Sequence, residues 1–288
     1  MKVVMDCGNA AACVNGPDIF NSLGIELTEL FCEVDGNFPN HHPDPTVEKN
    51  IGSLISRVTS DNADLGIGFD GDGDRIGVVD EQGEIVWGDR LMILFSRDIL
   101  QNYPGSPVIF EVKCSQALPE MISRYGGQPV MWKTGHSLLK KKMKETGALL
   151  AGEMSGHLFF ADRYFGYDDA LYAAVRLAEL VSKTDKSLSE LLEDVPRYFS
   201  TPELRAETKN DQVKFEIAEK AKAYFSAHHE VLDVDGVRIL FGDGWGLVRA
   251  SNTQPVIVLR FEAKSEERLE EIKTLVISKL KEFGEINF

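Results

Sequence analysis

In the stretch Leu65-Gly66-Ile67-Gly68-Phe69-Asp70-Gly71-Asp72-Gly73-Asp74-Arg75-Ile76-Gly77-Val78-Val79, two apolar runs flank three aspartates spaced by single glycines. Leu65 to Phe69 reads as a short buried strand, and Ile76, Val78 and Val79 as the next one. The aspartates therefore occupy a tight loop at a strand end. Three like charges in one bend repel and raise one another's pKa unless a cation neutralises them. Glycines let the bend curl so that the carboxylates converge. Oxygen-only ligands suit a hard ion, Mg²⁺ or Ca²⁺. The plainer reading is a solvated acidic turn. Such a turn needs one Asp-Gly, not three aspartates and a following arginine.

Two other chemistries compete for the loop. An EF-hand uses acids at positions 1, 3, 5 and 12, and Glu81 falls at position 12 from Asp70. Arg75 stands where that loop requires glycine, and the flanks are β-like instead of helical. An aspartyl-phosphate phosphotransferase or phosphatase ends a strand in Asp-x-Asp, the first aspartate attacking phosphate. Asp70 and Asp72 fit that pattern. Asp74 stands where such enzymes usually carry a small hydroxyl or apolar residue.

The 288 residues suffice for two or three domains with cores of their own. A net charge of −15 argues against nucleic acid and acidic membrane surfaces as partners, since both need a basic face. A small anionic substrate is still accessible to a few local arginines, lysines and backbone N–H groups. No run of the sequence has the apolar length of a membrane span. Met1 to Asp6 lacks the features of a signal peptide. Cys7, Cys13, Cys32 and Cys114 form no CxxC pair, so reduced thiols in a cytoplasmic protein are expected.

The order of elements gives the fold class. Lys2 to Asp6 reads as a strand at once, as if the chain began inside a domain. A helix containing Ile19, Phe20 and Leu23 follows, then a strand over Ile25 to Phe31 and a loop over Gly36 to Pro45 that carries a surface His41-His42 pair. Ile51, Leu54, Ile55 and Val58 form one stripe of a helix over Val47 to Val58. This βαβαβ order implies a mixed, mostly parallel sheet with helices on its faces. Gly83 to Trp87 reads as a strand and Gly88 to Leu100 as a helix. A second α/β unit has strands over Val108 to Val112, Pro129 to Trp132, Ala148 to Gly152 and Leu158 to Ala161, with helices between and after them. Prolines from Pro196 to Pro202 break the pattern. Five strands and two helices then form a smaller α+β segment, its last helix opened by Ser265 and burying Leu269, Ile272, Val276 and Leu280. The expected domains are 1–84, 85–196 and 197–288.

Other motifs carry chemistry more weakly. Gly152-Glu153-Met154-Ser155-Gly156-His157 alternates carboxylate, hydroxyl and imidazole, which suits the hydroxyls of a polyol; a polar turn explains it equally. Lys133-Thr134-Gly135-His136-Ser137 lies at a strand-to-helix junction, where an anion could bind and His136 could exchange protons; Ser137 as a simple cap is the alternative. Lys113 follows a strand, where α/β sheets place ligands. Arg249-Ala250-Ser251-Asn252-Thr253 offers a guanidinium and three small polar side chains to phosphate oxygens; a polar turn is again the plain reading.

Together and in this order, the motifs resemble those of the α-D-phosphohexomutases, especially the bacterial phosphomannomutase/phosphoglucomutase branch. Asp70 to Arg75 is similar to that family's Mg²⁺ loop, Gly152 to His157 to its sugar-recognition loop, and Arg249 to Thr253 to its phosphate-binding loop. The resemblance implies Mg²⁺ on Asp70, Asp72 and Asp74, with Arg75 and His136 in catalysis. It implies Lys113, Glu153, Ser155, His157, Arg249, Ser251, Asn252 and Thr253 on a hexose phosphate. The activity implied is interconversion of hexose 1-phosphate and 6-phosphate through a bisphosphate, in a fold of three α/β domains plus a C-terminal domain. The family nucleophile, a phosphoserine in a Thr-Ala-Ser-His-Asn-Pro-like loop, has no counterpart in these 288 residues. The sequence corresponds to the family's second, third and fourth domains, and no turnover is expected from it alone. A Mg²⁺- and sugar-phosphate-binding protein without turnover is the alternative.

Overall fold

The computed structural model describes residues 1–251 and 254–288. These residues form an α/β fold with three sheets. The first contains β1 (Lys2–Asp6), β2 (Glu26–Leu30), β3 (Leu65–Phe69), β4 (Ile76–Asp80) and β5 (Ile85–Val86) in the order β2-β1-β3-β4-β5. β1 is parallel to β2 and β3, whereas β3, β4 and β5 run antiparallel. The change of direction falls at the acidic loop, which is the hairpin between β3 and β4. Helices α1 (Gly16–Ser22) and α2 (Gly52–Asp61) supply the parallel crossovers. The stripe read from the sequence is the buried one: Ile51, Leu54 and Val58 pack on Val4 and Val79. Each such side chain contributes about 1.5–3 kcal/mol by leaving water.

The second sheet contains β6 (Pro107–Glu111), β7 (Gln128–Trp132), β8 (Leu150–Gly152) and β9 (Leu158–Phe160) in the order β7-β6-β8-β9. Around it lie α3 (Gly88–Asn102), α4 (Ala117–Arg124), α5 (His136–Thr146), α6 (Ala170–Ser182) and α7 (Leu188–Leu191). The third sheet is antiparallel, from β10 (Phe199–Ser200), β11 (Leu204–Glu207), β12 (Glu230–Leu232), β13 (Val237–Leu240), β14 (Gly244–Ala250) and β15 (Val256–Ala263). Its order is β10-β15-β14-β13-β12, with β11 also on β15. Helices α8 (Asp211–His228) and α9 (Glu266–Phe283) bury Ile217, Phe225, Ile272 and Val276 against it. Ser265 caps α9, its hydroxyl accepting the Arg268 N–H at 3.2 Å.

Three local differences from expectation have identifiable causes. The strand expected from Gly83 starts only at Ile85, because Asp80 Oδ1 accepts the N–H groups of Gln82 and Glu84, each at 2.9 Å, and holds a turn there. The strand expected from Ala148 starts at Leu150. Gly147, left-handed at φ 69°, ends α5, and Ala148 N–H turns back to the Met143 carbonyl. His41 is not a surface residue: its Nε2 lies 3.0 Å from Oδ2 of buried Asp6.

The described residues form two compact units. One comprises Met1–Glu111, Leu118–Val130 and Gly135–Val195; the other comprises Val112–Ala117, Met131–Thr134 and Pro196–Phe288. The first two sheets thus meet in one unit, while the short loops after β6 and at the end of β7 belong with the third sheet.

Candidate active site

In the first unit the acidic loop is shaped by its own first aspartate. Asp70 is buried at the end of β3, and its Oδ1 accepts the N–H groups of Gly73, Asp74 and Arg75 at 3.0–3.1 Å. Its Oδ2 takes Arg75 Nε at 2.7 Å. Arg75 reaches on to Asp44 Oδ1 at 3.0 Å, so two carboxylates hold the guanidinium. Asp44 itself is held by Thr46 through both N–H and hydroxyl. Asp72 is exposed and Asp74 half-buried. Burial, together with the Asp70 and Asp72 charges and against the pull of His157, pushes Asp74 up to about 6.

The loop between β8 and β9 lies against this bend. Arg75 pairs with His157 as an antiparallel bridge, and Ile76 N–H donates to the Gly156 carbonyl at 3.1 Å. Gly156 has φ 98°, and a Cβ there would run into the Ile76 carbonyl, so glycine is required. Glu153 is buried; its Oε1 accepts Gly135 N–H at 2.8 Å, and its Oε2 accepts the Ser155 hydroxyl at 3.1 Å. His157 Nδ1 lies 3.2 Å from Asp168 Oδ2 and 3.6 Å from Asp74 Oδ1. The His136 ring stacks on His157 at 5.7 Å between centroids, and Lys140 Nζ bonds Asp168 at 2.9 Å. Burial alone would lower the His157 pKa; the carboxylates of Asp168, Glu153 and Asp74 outweigh it and raise the pKa. Asp168 is depressed despite burial, by His157 and Lys140.

The first unit therefore brings Asp70, Asp72, Asp74, Arg75, His136, Glu153, Ser155 and His157 into one connected network. Lys113, Arg249 and Ser251 belong to the second unit. Asn252 and Thr253 lie outside the described residues. Lys113 Nζ pairs with Glu203 at 3.0 Å. Its main chain is gripped by two buried arginines. Arg260 Nη1 donates to the Lys113 carbonyl at 2.6 Å, and Arg238 Nη1 to those of Val112 and Cys114 at 2.7 and 2.8 Å. The Arg238 guanidinium lies 3.6 Å from the centroid of the Trp245 ring. Arg249, buried on β14, pairs through Nε with Asp235 Oδ2 at 2.6 Å, and the same oxygen accepts Thr134 N–H at 3.1 Å. Ser251 Oγ accepts Gln254 N–H at 3.3 Å.

Family models for the three domain types of one enzyme group match in succession. Phosphoglucomutase/phosphomannomutase alpha/beta/alpha domain II matches residues 1–83, alpha/beta/alpha domain III residues 87–199, and the C-terminal domain residues 203–279. The chain belongs to the phosphoglucomutase/phosphomannomutase family. It is 53% identical over 282 residues to a phosphomannomutase/phosphoglucomutase of Pseudomonas aeruginosa, covering 98% of this chain and 61% of that protein. It is 48% identical over 277 residues to a phosphoglucomutase of Neisseria meningitidis, covering 95% and 60%. A solved phosphoglucomutase/phosphomannomutase family protein from Burkholderia thailandensis superposes with a TM-score of 0.92 at 43% identity, over all of this chain and 62% of that one. The chain thus spans about three fifths of the length of these relatives.

In this phosphoglucomutase/phosphomannomutase family chain the donor set fits a hard divalent cation. Carboxylate oxygens of Asp70, Asp72 and Asp74 lie within 4.8 Å of one another. The raised Asp74 pKa marks negative charge crowded into the bend, which a bound cation would neutralise. A second set, Asp74, His157 and Asp168, is equally compact but includes a nitrogen, which suits a hard ion less well. Asp44, Lys140, Asp168, Glu203 and Asp235 were not foreseen from the sequence. Asp44, Asp168, Glu203 and Asp235 each act on a foreseen residue from outside its motif, and Lys140 acts through Asp168. Among the described residues, no helix is long and apolar enough to cross a membrane.

Proposed function

We propose that this chain is the metal-, sugar- and phosphate-binding part of a cytoplasmic phosphohexomutase. The reaction is interconversion of hexose 1-phosphate and hexose 6-phosphate, mannose or glucose, through a bisphosphate intermediate. The observation that carries the reading is the pairing of Arg75 with His157, through which the three-aspartate bend and the Glu153–His157 turn adjoin within one unit. The names of the relatives support the same activity. The three sheets support a division into domains 1–84, 85–196 and 197–288.

Asp70, Asp72 and Asp74 would hold Mg²⁺, which supplies positive charge to a phosphoryl group in transfer. Arg75, fixed between Asp70 and Asp44, offers that group a cation that does not have to be ordered first. Glu153 and Ser155 face sugar hydroxyls with their remaining hydrogen-bonding capacity. His157, whose pKa its carboxylate neighbours raise, passes a proton to or from a substrate oxygen, with His136 stacked behind it. Arg249, Ser251, Asn252 and Thr253 take the phosphate that is not transferred, and Lys113 adds a cation to the substrate.

An aspartyl-phosphate mechanism on Asp70 is disfavoured by geometry. Both of its oxygens are engaged, one by three N–H groups and the other by Arg75, which lowers their nucleophilicity. Phosphorus NMR of the chain with mannose 1-phosphate or glucose 1-phosphate, with and without Mg²⁺, tests the reading. Mg²⁺-dependent binding without turnover is expected here, with conversion once the serine-bearing segment is supplied. Absence of binding to either sugar phosphate would overturn the assignment. Release of inorganic phosphate that Asp70→Asn abolishes would favour the phosphatase.

A further inference from the structure

Three thiols gather at the ends of β1 and β2, outside the proposed chemistry. Cys7 follows β1 and is fully buried, whereas Cys32 lies just past β2 and is half-buried. Their sulfurs are 3.1 Å apart. The main chain builds this approach from both sides. The parallel register aligns Asp6 with Leu30, and Cys7 N–H donates to the Leu30 carbonyl at 3.1 Å. Phe31 then takes a left-handed φ of 52°, rare for a bulky residue, and its carbonyl accepts Asn9 N–H at 2.8 Å. That reversal turns Cys32 back over the end of β1. A disulfide needs about 2.05 Å between sulfurs, so closure requires an approach of about 1 Å.

We propose that Cys7 and Cys32 are an oxidisable pair, in which Cys32 attacks a low-molecular-weight disulfide such as oxidised glutathione and Cys7 resolves the adduct into an intramolecular disulfide. Deprotonated Cys32 forms a bond to one glutathione sulfur and displaces the other glutathione as thiolate. Deprotonated Cys7 then attacks Cys32 Sγ and expels the second glutathione. The two protons lost by the protein end on the two glutathione thiolates, so one oxidised glutathione is reduced as one protein disulfide forms. Exposure assigns the roles, since only Cys32 of the two is open to a reagent. Cys13, whose Sγ donates to the Phe31 carbonyl at 3.5 Å, is the competing partner.

The test is equilibration of the protein in graded mixtures of reduced and oxidised glutathione, followed by alkylation and peptide mapping. Wild type is expected to lose two thiols, yield a cross-linked Cys7–Cys32 peptide pair and recover both thiols in dithiothreitol. Cys7→Ser, or Cys7→Ala if serine disturbs the core, is expected to stop at a glutathione adduct on Cys32. Cys32→Ser is expected to leave Cys7 unmodified while the protein is folded by circular dichroism. The proposal is overturned if the cross-link joins Cys13, or if folded wild type keeps all four thiols in oxidised glutathione alone. Prior modification of Cys7 in Cys32→Ser would overturn the assigned order of attack. Mapping of wild type decides the pairing even where a variant fails to fold.

Discussion

Asp168 Oδ2 faces His157 Nδ1 across 3.2 Å, and the other oxygen of the same carboxylate takes Lys140 Nζ at 2.9 Å. One largely buried carboxylate thus serves an imidazole from the β8–β9 loop and an ammonium from α5, with the His136 imidazole 3.4 Å away as a third neighbour. Asp168→Asn keeps the shape and deletes the charge. Because Lys140 is a third exposed, solvent takes over part of what it loses. The expected cost is about 1–2 kcal/mol in urea unfolding at neutral pH. An unchanged midpoint would show that the network contributes nothing net to stability.

The three aspartates differ in what they do for the fold, and substitution separates those roles. Asp70 organises three N–H groups, whereas Asp72 is exposed. Asp72→Asn is expected to change unfolding free energy by no more than about 0.5 kcal/mol. It should nevertheless weaken Mg²⁺ binding at least tenfold, about 1.4 kcal/mol, in calorimetric titration. Wild-type affinity in this variant would place the cation elsewhere.

Those roles also mark how far the sequence could be read. Periodic signals survived into the structure: Ile51, Leu54 and Val58 are buried together, and Ser265 caps its helix. Motifs with tight internal spacing survived as well, since Asp70 to Asp74 converge through bonds among themselves. What escaped were partners separated by long stretches of chain. Asp44 holds Arg75 from a loop that carries no pattern beyond its prolines, and Asp235 holds Arg249 from a turn. A single charge in a loop has no period and no obligatory neighbour, so only folding reveals its partner. The grouping of Val112–Ala117 with the C-terminal residues was hidden for the same reason. It depends on Arg238 and Arg260 reaching carbonyls more than a hundred positions away.

At Gly156 the β8–β9 loop lies against the main chain of Ile76 at the start of β4, and a methyl group there should separate them. Gly156→Ala places a Cβ against the Ile76 carbonyl and also strains a φ of 98°. Gly24→Ala strains a φ of 72° but meets open space. Strain alone costs about 1 kcal/mol, so Gly24→Ala is expected near that value and Gly156→Ala at about 3 kcal/mol. Equal losses in chemical denaturation would mean that the close approach carries no energy of its own.

Lys113 and Glu203 give the second unit a stability that depends on acid. Burial raises the Glu203 pKa, but Lys113, ahead of Arg205, outweighs burial and holds it below its ordinary value of 4.5. A carboxyl depressed in the folded state contributes stability that is present above the unfolded pKa. That contribution is lost as pH falls through the folded one. Lys113→Met should therefore cost about 2 kcal/mol near pH 7, where it leaves a largely buried carboxylate to the exposed Arg205. As the pH drops below 4.5 and through the depressed folded value, Glu203 protonates in the wild type as well, and the gap between the two proteins should shrink. Urea unfolding across this range reads the gap directly. A difference that stays constant down to acid pH would assign the loss to the packing of the lysine stem and not to the ion pair.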